Sequence, residues 1–413
     1  MKQGGIGQRA WDHHRNLLLI AMAGAIFALD GIYLLYKGAQ MSSDSVTYSS
    51  WADLMISKHF SAAAFLKESS FVVPPVFYLG WVYLVALFKA ALGPSWGAGV
   101  AIMNLFMSAL TGFLVFSLVS KVTNSKASVA TAFMLSLVCY EYHLWVPFAL
   151  SDISYTALST GIFYLLVSLH PSKDGRIKIA LAISFFAMFS MIYRPSAIPI
   201  VVAAIIGGAI ISLADAGAMA RRASFARRLI AALVLIFAIV SAGHAFVMKE
   251  TSLWPFSFAQ GWIKQLSGEY HAGIVVYARP ETYSPPPVNV SDFFAISMKK
   301  LAYFCAIDAQ SYSRSHRVVN YLFFAPAYLL AALALGSILS PNSHMTERSW
   351  MAGLLCFVTL LCYIGFHGLQ QLDFDWRYRL PCVPLLIILA AIGMAELTAR
   401  LRGAKNGNWL HKD

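Results

Sequence analysis

The stretch Leu17-Leu18-Leu19-Ile20-Ala21-Met22-Ala23-Gly24-Ala25-Ile26-Phe27-Ala28-Leu29-Asp30-Gly31-Ile32-Tyr33-Leu34-Leu35-Tyr36, followed closely by Ser42-Ser43-Asp44-Ser45-Val46-Thr47-Tyr48, decides the fold class. An apolar run of this length, with Asp30 as its one charge, is long enough to cross a bilayer at about 1.5 Å per residue. It lacks a small-residue cleavage site, so it reads as a span and not as a removable leader. Asp30 inside the run needs a polar partner on a neighbouring helix, such as Asn104, or a proton-coupled role. Asp44, just beyond the run, places a carboxylate at the membrane mouth. It suits a general base acting on a lipid-borne substrate, or the N-terminal cap of a following helix.

The rest of the chain extends this reading. Of 413 residues, 59% are hydrophobic and only 12% charged, against about 25% charged in soluble domains. Apolar segments recur throughout, at 17–36, 98–119, 127–146, 152–169, 177–193, 196–213, 228–248, 318–339, 349–367 and 379–398. The expectation is an all-α polytopic membrane protein with about ten spans. The net charge of +12 does not indicate nucleic acid, because the basic residues fall in short clusters between apolar segments. The five cysteines (Cys139, Cys305, Cys356, Cys362, Cys382) form no CxxC and read as small hydrophobes.

Charge placement sets the topology. The clusters are Lys2/Arg9/Arg15, Lys121/Lys126, Lys173/Arg176/Lys178, Arg221/Arg222/Arg227/Arg228, His344/Arg348 and Arg400/Arg402/Lys405. All fall on the side of the N-terminus if residues 75–92 do not cross the membrane. The positive-inside rule therefore predicts an interfacial or re-entrant 75–92, consistent with the aromatic run Phe77-Tyr78-Leu79-Gly80-Trp81-Val82-Tyr83. The outer side then carries the first loop 37–97, the turn before Asp152, the turn at Arg194-Pro195, a large loop 249–317 and the turn 368–378. The organisation is a module 1–248, the outer loop 249–317, and C-terminal helices with a tail over 318–413.

Five motifs in order resemble those of the GT-C superfamily of membrane glycosyltransferases, which includes protein O-mannosyltransferases and lipid A aminoarabinose transferases. They are Asp44-Ser45-Val46-Thr47-Tyr48, Pro74-Pro75-Val76-Phe77-Tyr78, Ser151-Asp152-Ile153-Ser154-Tyr155, Tyr193-Arg194-Pro195, and Arg377-Tyr378-Arg379-Leu380-Pro381-Cys382-Val383-Pro384. The family often has Asp-Glu in the first motif; here the second acid is Ser45. The resemblance implies interfacial helices after the first span. It also implies transfer of a sugar from a polyprenyl-phosphate-linked donor to a lipid, glycan or protein acceptor. The site would face the periplasm of a bacterial inner membrane.

That reaction needs a carboxylate, cations for the leaving phosphate, and an apolar groove for the prenyl tail. Asp44 is the expected base and Asp152 the second acid, although Asp152 equally suits a helix cap. Tyr48 and Tyr78 are expected to line the substrate site. Arg194, Arg314, His316, Arg317, Arg377 and Arg379 are outer-side cations against the topological trend, so they are the phosphate candidates. For Arg194 interfacial snorkelling is the plainer reading. Lys299-Lys300 is assigned to lipid headgroups. No HExxH or HxxxH occurs, and no cofactor is expected. A divalent metal would need ligands from Asp44, Asp152 and Glu269. The competing readings are a transporter or flippase of lipid-linked substrates, and a non-catalytic scaffold that keeps the GT-C shell.

Overall fold

The structure, a computed structural model, describes residues 5–69, 75–169, 175–215, 222, 224–230, 232, 290–309, 312–341, 343–369 and 376–405. The apolar runs become helices: α1 (Gly5–Lys37), α2 (Ser43–Ser57), α3 (Ala62–Glu68), α4 (Leu79–Leu92), α5 (Trp96–Thr123), α6 (Lys126–Val138) and α7 (Tyr140–Leu144). They continue as α8 (Asp152–Leu169), α9 (Arg176–Met191), α10 (Ile198–Asp215), α11 (Val290–Cys305), α12 (Arg314–Leu339), α13 (Glu347–Leu369) and α14 (Val383–Lys405). Short 3₁₀ turns at Pro75–Tyr78, Pro195–Ala197 and Trp376–Cys382 lead into α4, α10 and α14. The chain is all-α: among the described residues no strand forms, and an isolated parallel bridge joins Gln40 to Phe148.

Seven stretches are long and apolar enough to cross a membrane: Arg15–Lys37, Val76–Thr123, Asp152–Leu169, Pro195–Ala214, Arg314–Leu339, Glu347–Gly368 and Trp376–Arg402. This is an integral-membrane architecture. The sequence reading expected ten spans, and the difference has specific causes. The expected span 127–146 is broken at Cys139, leaving a 13-residue α6, about 20 Å at 1.5 Å per residue against a hydrocarbon core of about 30 Å. The expected span 177–193 becomes the 16-residue α9. Most of 228–248 lies outside the described residues. The expected loop 249–317 contains helix α11, and α12 begins already at Arg314.

The bundle has two distinguishable ends. At one, Ser349 Oγ donates to the Val122 carbonyl, Arg400 pairs with Glu396, and Arg222 lies 3.5 Å from Glu347. Arg15, Lys121, Lys126, His344, Arg348 and Arg402 line adjoining concavities at this end. At the other end, Gln40 N–H donates to the Pro147 carbonyl and Ala149 N–H to the Gln40 carbonyl, tying the segment after α1 to the segment before α8. Both ends of α4 contact elements at this second end. Gly80 N–H donates to the Ile192 carbonyl at the end of α9, and Lys89 bonds Ser49 and Asp53 of α2. A 3₁₀ turn at Gly93–Ser95 joins α4 to α5, and the two together make the apolar stretch Val76–Thr123. A Cβ at Gly80 would sit 3.3 Å from the Ile192 oxygen, so this close backbone approach favours glycine.

Two apolar clusters result. One fills the bundle, where α12 and α14 make the most extensive contact. There Gly393 passes so close to the Leu330 carbonyl that a Cβ would overlap it, the small-residue crossing by which membrane helices pack. The second cluster is aromatic and joins α2 to α4: Tyr48, Trp51, Phe65, Trp81, Trp96, Tyr155 and Tyr193 are its aromatic members. Tyr48 lies 5.5 Å from Tyr78 and 6.2 Å from Trp81, which in turn meets Tyr193 edge-on at 5.6 Å. This cluster is the floor of the candidate site.

Candidate functional site

Helix α2 starts with a capping box: Ser42 Oγ accepts from Ser45 N–H, and Ser42 N–H donates to Ser45 Oγ. The cap reading for Asp44 is thereby replaced. Ser42 and Ser45 perform that role. Asp44 sits in the first turn with its carboxylate 42% exposed, favourably placed for the positive helix end. Its Oδ2 accepts from Arg377 Nη1 at 2.8 Å, bringing together residues 333 positions apart. The Arg377 guanidinium also lies over the Trp145 ring, at 5.3 Å.

Asp152, the first residue of α8, is buried and lies 2.8 Å from Arg194. Arg194 also donates to Ser151 Oγ at 3.0 Å. Both plainer readings are corrected here: the Asp152 carboxylate is engaged in an ion pair, and Arg194 is not a snorkelling side chain. Burial alone would lower the Arg194 pKa, but Asp152, with Tyr48, holds it above the ordinary arginine value. It is a fixed cation at any accessible pH.

Tyr48 and Tyr78 lie between these pairs. The Tyr48 hydroxyl feels Asp44, Arg194 and Asp152, and the Tyr78 hydroxyl feels Arg194, Asp44 and Arg377. Burial, then Tyr78 and Asp44, push the Tyr48 phenol well above its usual range. It therefore remains a neutral hydroxyl able to donate. The structure thus gathers Asp44, Tyr48, Tyr78, Asp152, Arg194 and Arg377 in one place.

The other phosphate candidates are elsewhere. Arg379 is buried and gives a two-point contact to Glu141: its Nε donates to Oε2 at 2.7 Å, and Nη2 reaches Oε1. It also bonds the Ala306 carbonyl and lies over Phe324 and Trp376. Glu141 accepts further from Asn320 at 2.9 Å and Tyr312 at 3.1 Å. His316 stacks on Tyr312 at 3.7 Å, with Nε2 3.9 Å from Glu141. Arg317 pairs with Asp308 at 3.0 Å and bonds the Ala309 carbonyl, bracing the turn before α12. Arg314 is exposed in the first turn of α12. Lys300 is buried, contrary to the headgroup reading.

Sequence reasoning missed Glu141, and its signal was available: a carboxylate inside an apolar stretch counted as a span. Asp30 also has partners other than Asn104. Its oxygens meet Ser108 Oγ and His143 Nδ1, the latter at 2.6 Å, while His143 Nε2 reaches the Ser136 carbonyl. Asn104 instead donates to the Phe148 and Leu150 carbonyls. Glu141, His143, Trp145, Ser151 and Asp152 all come from residues 139–152, so the break after α6 supplies a member to the Arg379, Asp30, Arg377 and Arg194 centres alike.

Among the described residues, no three His, Cys, Asp or Glu side chains converge as a metal site. Asp44 and Asp152 each face an arginine, and Glu269 lies outside the described residues. No family profile matches this chain, and neither curated proteins nor solved structures yield a match.

Proposed function

We propose that the chain is a membrane glycosyltransferase of the GT-C kind, transferring a sugar from a polyprenyl-phosphate donor to a hydroxyl-bearing acceptor. The observation that carries this reading is the half-exposed Asp44–Arg377 pair beside the buried Asp152–Arg194 pair. An accessible carboxylate and a partly buried cation stand together, with a second cation fixed behind them. Transfer requires both polarities within one substrate length.

In the proposed step the acceptor oxygen attacks the anomeric carbon while the bond from that carbon to the donor phosphate oxygen breaks. The acceptor proton passes to Asp44, and the phosphate leaves with both bonding electrons. Arg377 is the phosphate cation. The phosphate draws Arg377 away from Asp44, which leaves the carboxylate oxygen open to the acceptor hydroxyl as the donor arrives. Asp152 positions Arg194, and Tyr48 and Tyr78 orient the sugar. A cleft of about 190 Å³ between α11, α12, α13 and α14, lined by Phe304, Phe324, Leu335, Phe357 and Leu386, supports a place for the prenyl tail.

The test is release of polyprenyl phosphate by purified protein. A panel of undecaprenyl-phosphate donors carrying mannose, glucose, arabinose or aminoarabinose would be followed by mass spectrometry. Asp44→Asn is expected to lower turnover by about 10²- to 10⁴-fold, the usual worth of a general base. Wild-type turnover in that variant overturns the assignment.

One observation favours the transport reading: the buried Asp30–His143 pair, a titratable couple inside the helices. Proton uptake into proteoliposomes that is abolished by Asp30→Asn, together with no donor consumption, would select transport.

A further inference from the structure

At the end of the bundle opposite Asp44, α1 and α6 both pack on α5 but touch one another far less. They leave a V-shaped cleft of about 490 Å³, within the size range of small-molecule sites. Its walls are apolar: Leu18 and Met22 from α1 face Val129, Ala130 and Phe133 from α6. Its mouth is polar and cationic, carrying Arg15 and Lys126 with Asn124 and Ser125. Ser125 caps α6, and Lys126 is its first residue, so the positive end of that helix opens on the same mouth. Two further concavities meet at the Asn124 turn and add Lys121, Arg348 and Arg402 to the surroundings, along with the carboxylates Glu347 and Glu396.

We propose that this cleft binds one anionic phospholipid, its acyl chain between α1 and α6 and its headgroup phosphate at Arg15 and Lys126. The two zones of the cleft match the two zones of such a lipid. An apolar wall one or two turns deep suits an acyl chain, whereas a free anion would use only the mouth. Basic residues at this end follow the general charge bias of membrane proteins. What distinguishes this place is the cleft beneath the charges, and basic pockets between helices are where anionic lipid headgroups bind. The proposal is independent of the glycosyltransferase reading.

Native mass spectrometry of the full-length protein would count retained lipid after titration with phosphatidylglycerol, phosphatidylcholine or inorganic phosphate. The wild type is expected to retain one phosphatidylglycerol in preference to phosphatidylcholine, with no comparable retention of phosphate. Arg15→Gln with Lys126→Gln should weaken that binding about 30-fold, from two headgroup-level cations. Ala130→Phe, which fills the cleft without changing charge, should also abolish it. Lys178→Gln, a basic residue on α9, should leave it intact. Equal retention by wild type and the double variant overturns the proposal, as does equal loss in Lys178→Gln. Phosphate retained as tightly as phosphatidylglycerol would overturn the acyl-chain assignment. Lipid binding that appears only after removal of residues 1–14 would show that the chain's own N-terminus fills the cleft, and would also overturn it. Size-exclusion profiles of each variant separate lost binding from lost folding.

Discussion

Asp44–Arg377 and Glu141–Arg379 use two arginines separated by one residue on the same 3₁₀ turn, yet they do opposite work. The first pair is 42% and 15% exposed at the side chains; the second is 4% and 3% exposed. Asp44 and Arg377 are paired through one short contact and open to solvent or substrate. Glu141 and Arg379 are held by two contacts to each other, by Asn320 and Tyr312 on the acid, and by backbone carbonyls on the cation. A buried, fully bonded pair is committed to structure. A partly exposed pair of modest strength can be exchanged for a ligand. In a 3₁₀ turn, residues two apart point in well-separated directions, so the Arg-x-Arg spacing sends one cation inward and one toward the site.

The sharpest way to break this comparison is Glu141→Ala. It strands Arg379 among Phe324, Trp376 and Phe304, and should cost about 3–5 kcal/mol, the usual penalty for removing one partner of a buried pair. Thermal unfolding in detergent measures this. The double change Glu141→Leu with Arg379→Met should regain much of the loss, and a single variant that melts like the wild type would refute the structural role.

Arg194→Gln tests the intermediate case. Asp152 would lose its partner at 3% exposure, while glutamine can still bond Ser151, so a cost of about 2–3 kcal/mol is expected, toward the lower end for an unpaired buried charge. Asp152→Asn in the same background should restore part of it. Without such rescue, the two side chains do not act as a pair.

Ser42→Ala removes the capping box that presents Asp44. The expected loss is about 1 kcal/mol, with a proportionally larger fall in donor turnover if Asp44 acts as base. Unchanged stability would mean that α2 is held by its aromatic face alone.

Asp44→Asn should have the smallest effect on folding, below about 1 kcal/mol, because exposed pairs contribute little and are screened by salt. A stability loss as large as that of Glu141→Ala would place Asp44 among the structural pairs and remove the basis for calling it exchangeable.

The helical, membrane-embedded class was legible from local sequence, because composition and the length of apolar runs decide it without any tertiary contact. Residues 75–92, expected from charge bias not to cross, fall in the apolar stretch Val76–Thr123, which the structure builds as α4 and α5 joined by a 3₁₀ turn. Asp44, Asp152, Arg194 and Arg377 stood out as charges placed against a strong hydrophobic and topological background. The partners were not legible. Asp44 meets Arg377 across 333 positions and Glu141 meets Arg379 across 238, and contacts at that separation depend on how helices pack, which no local pattern encodes. The break at Cys139 was hidden because an apolar stretch looks the same whether it continues as one helix or turns. Only the tertiary structure shows that residues 139–152 turn there and deliver Glu141, His143, Trp145 and Asp152 to separate centres. It also decides which of two neighbouring arginines is buried and which is left for a ligand, since burial is a property of the neighbours and not of the residue.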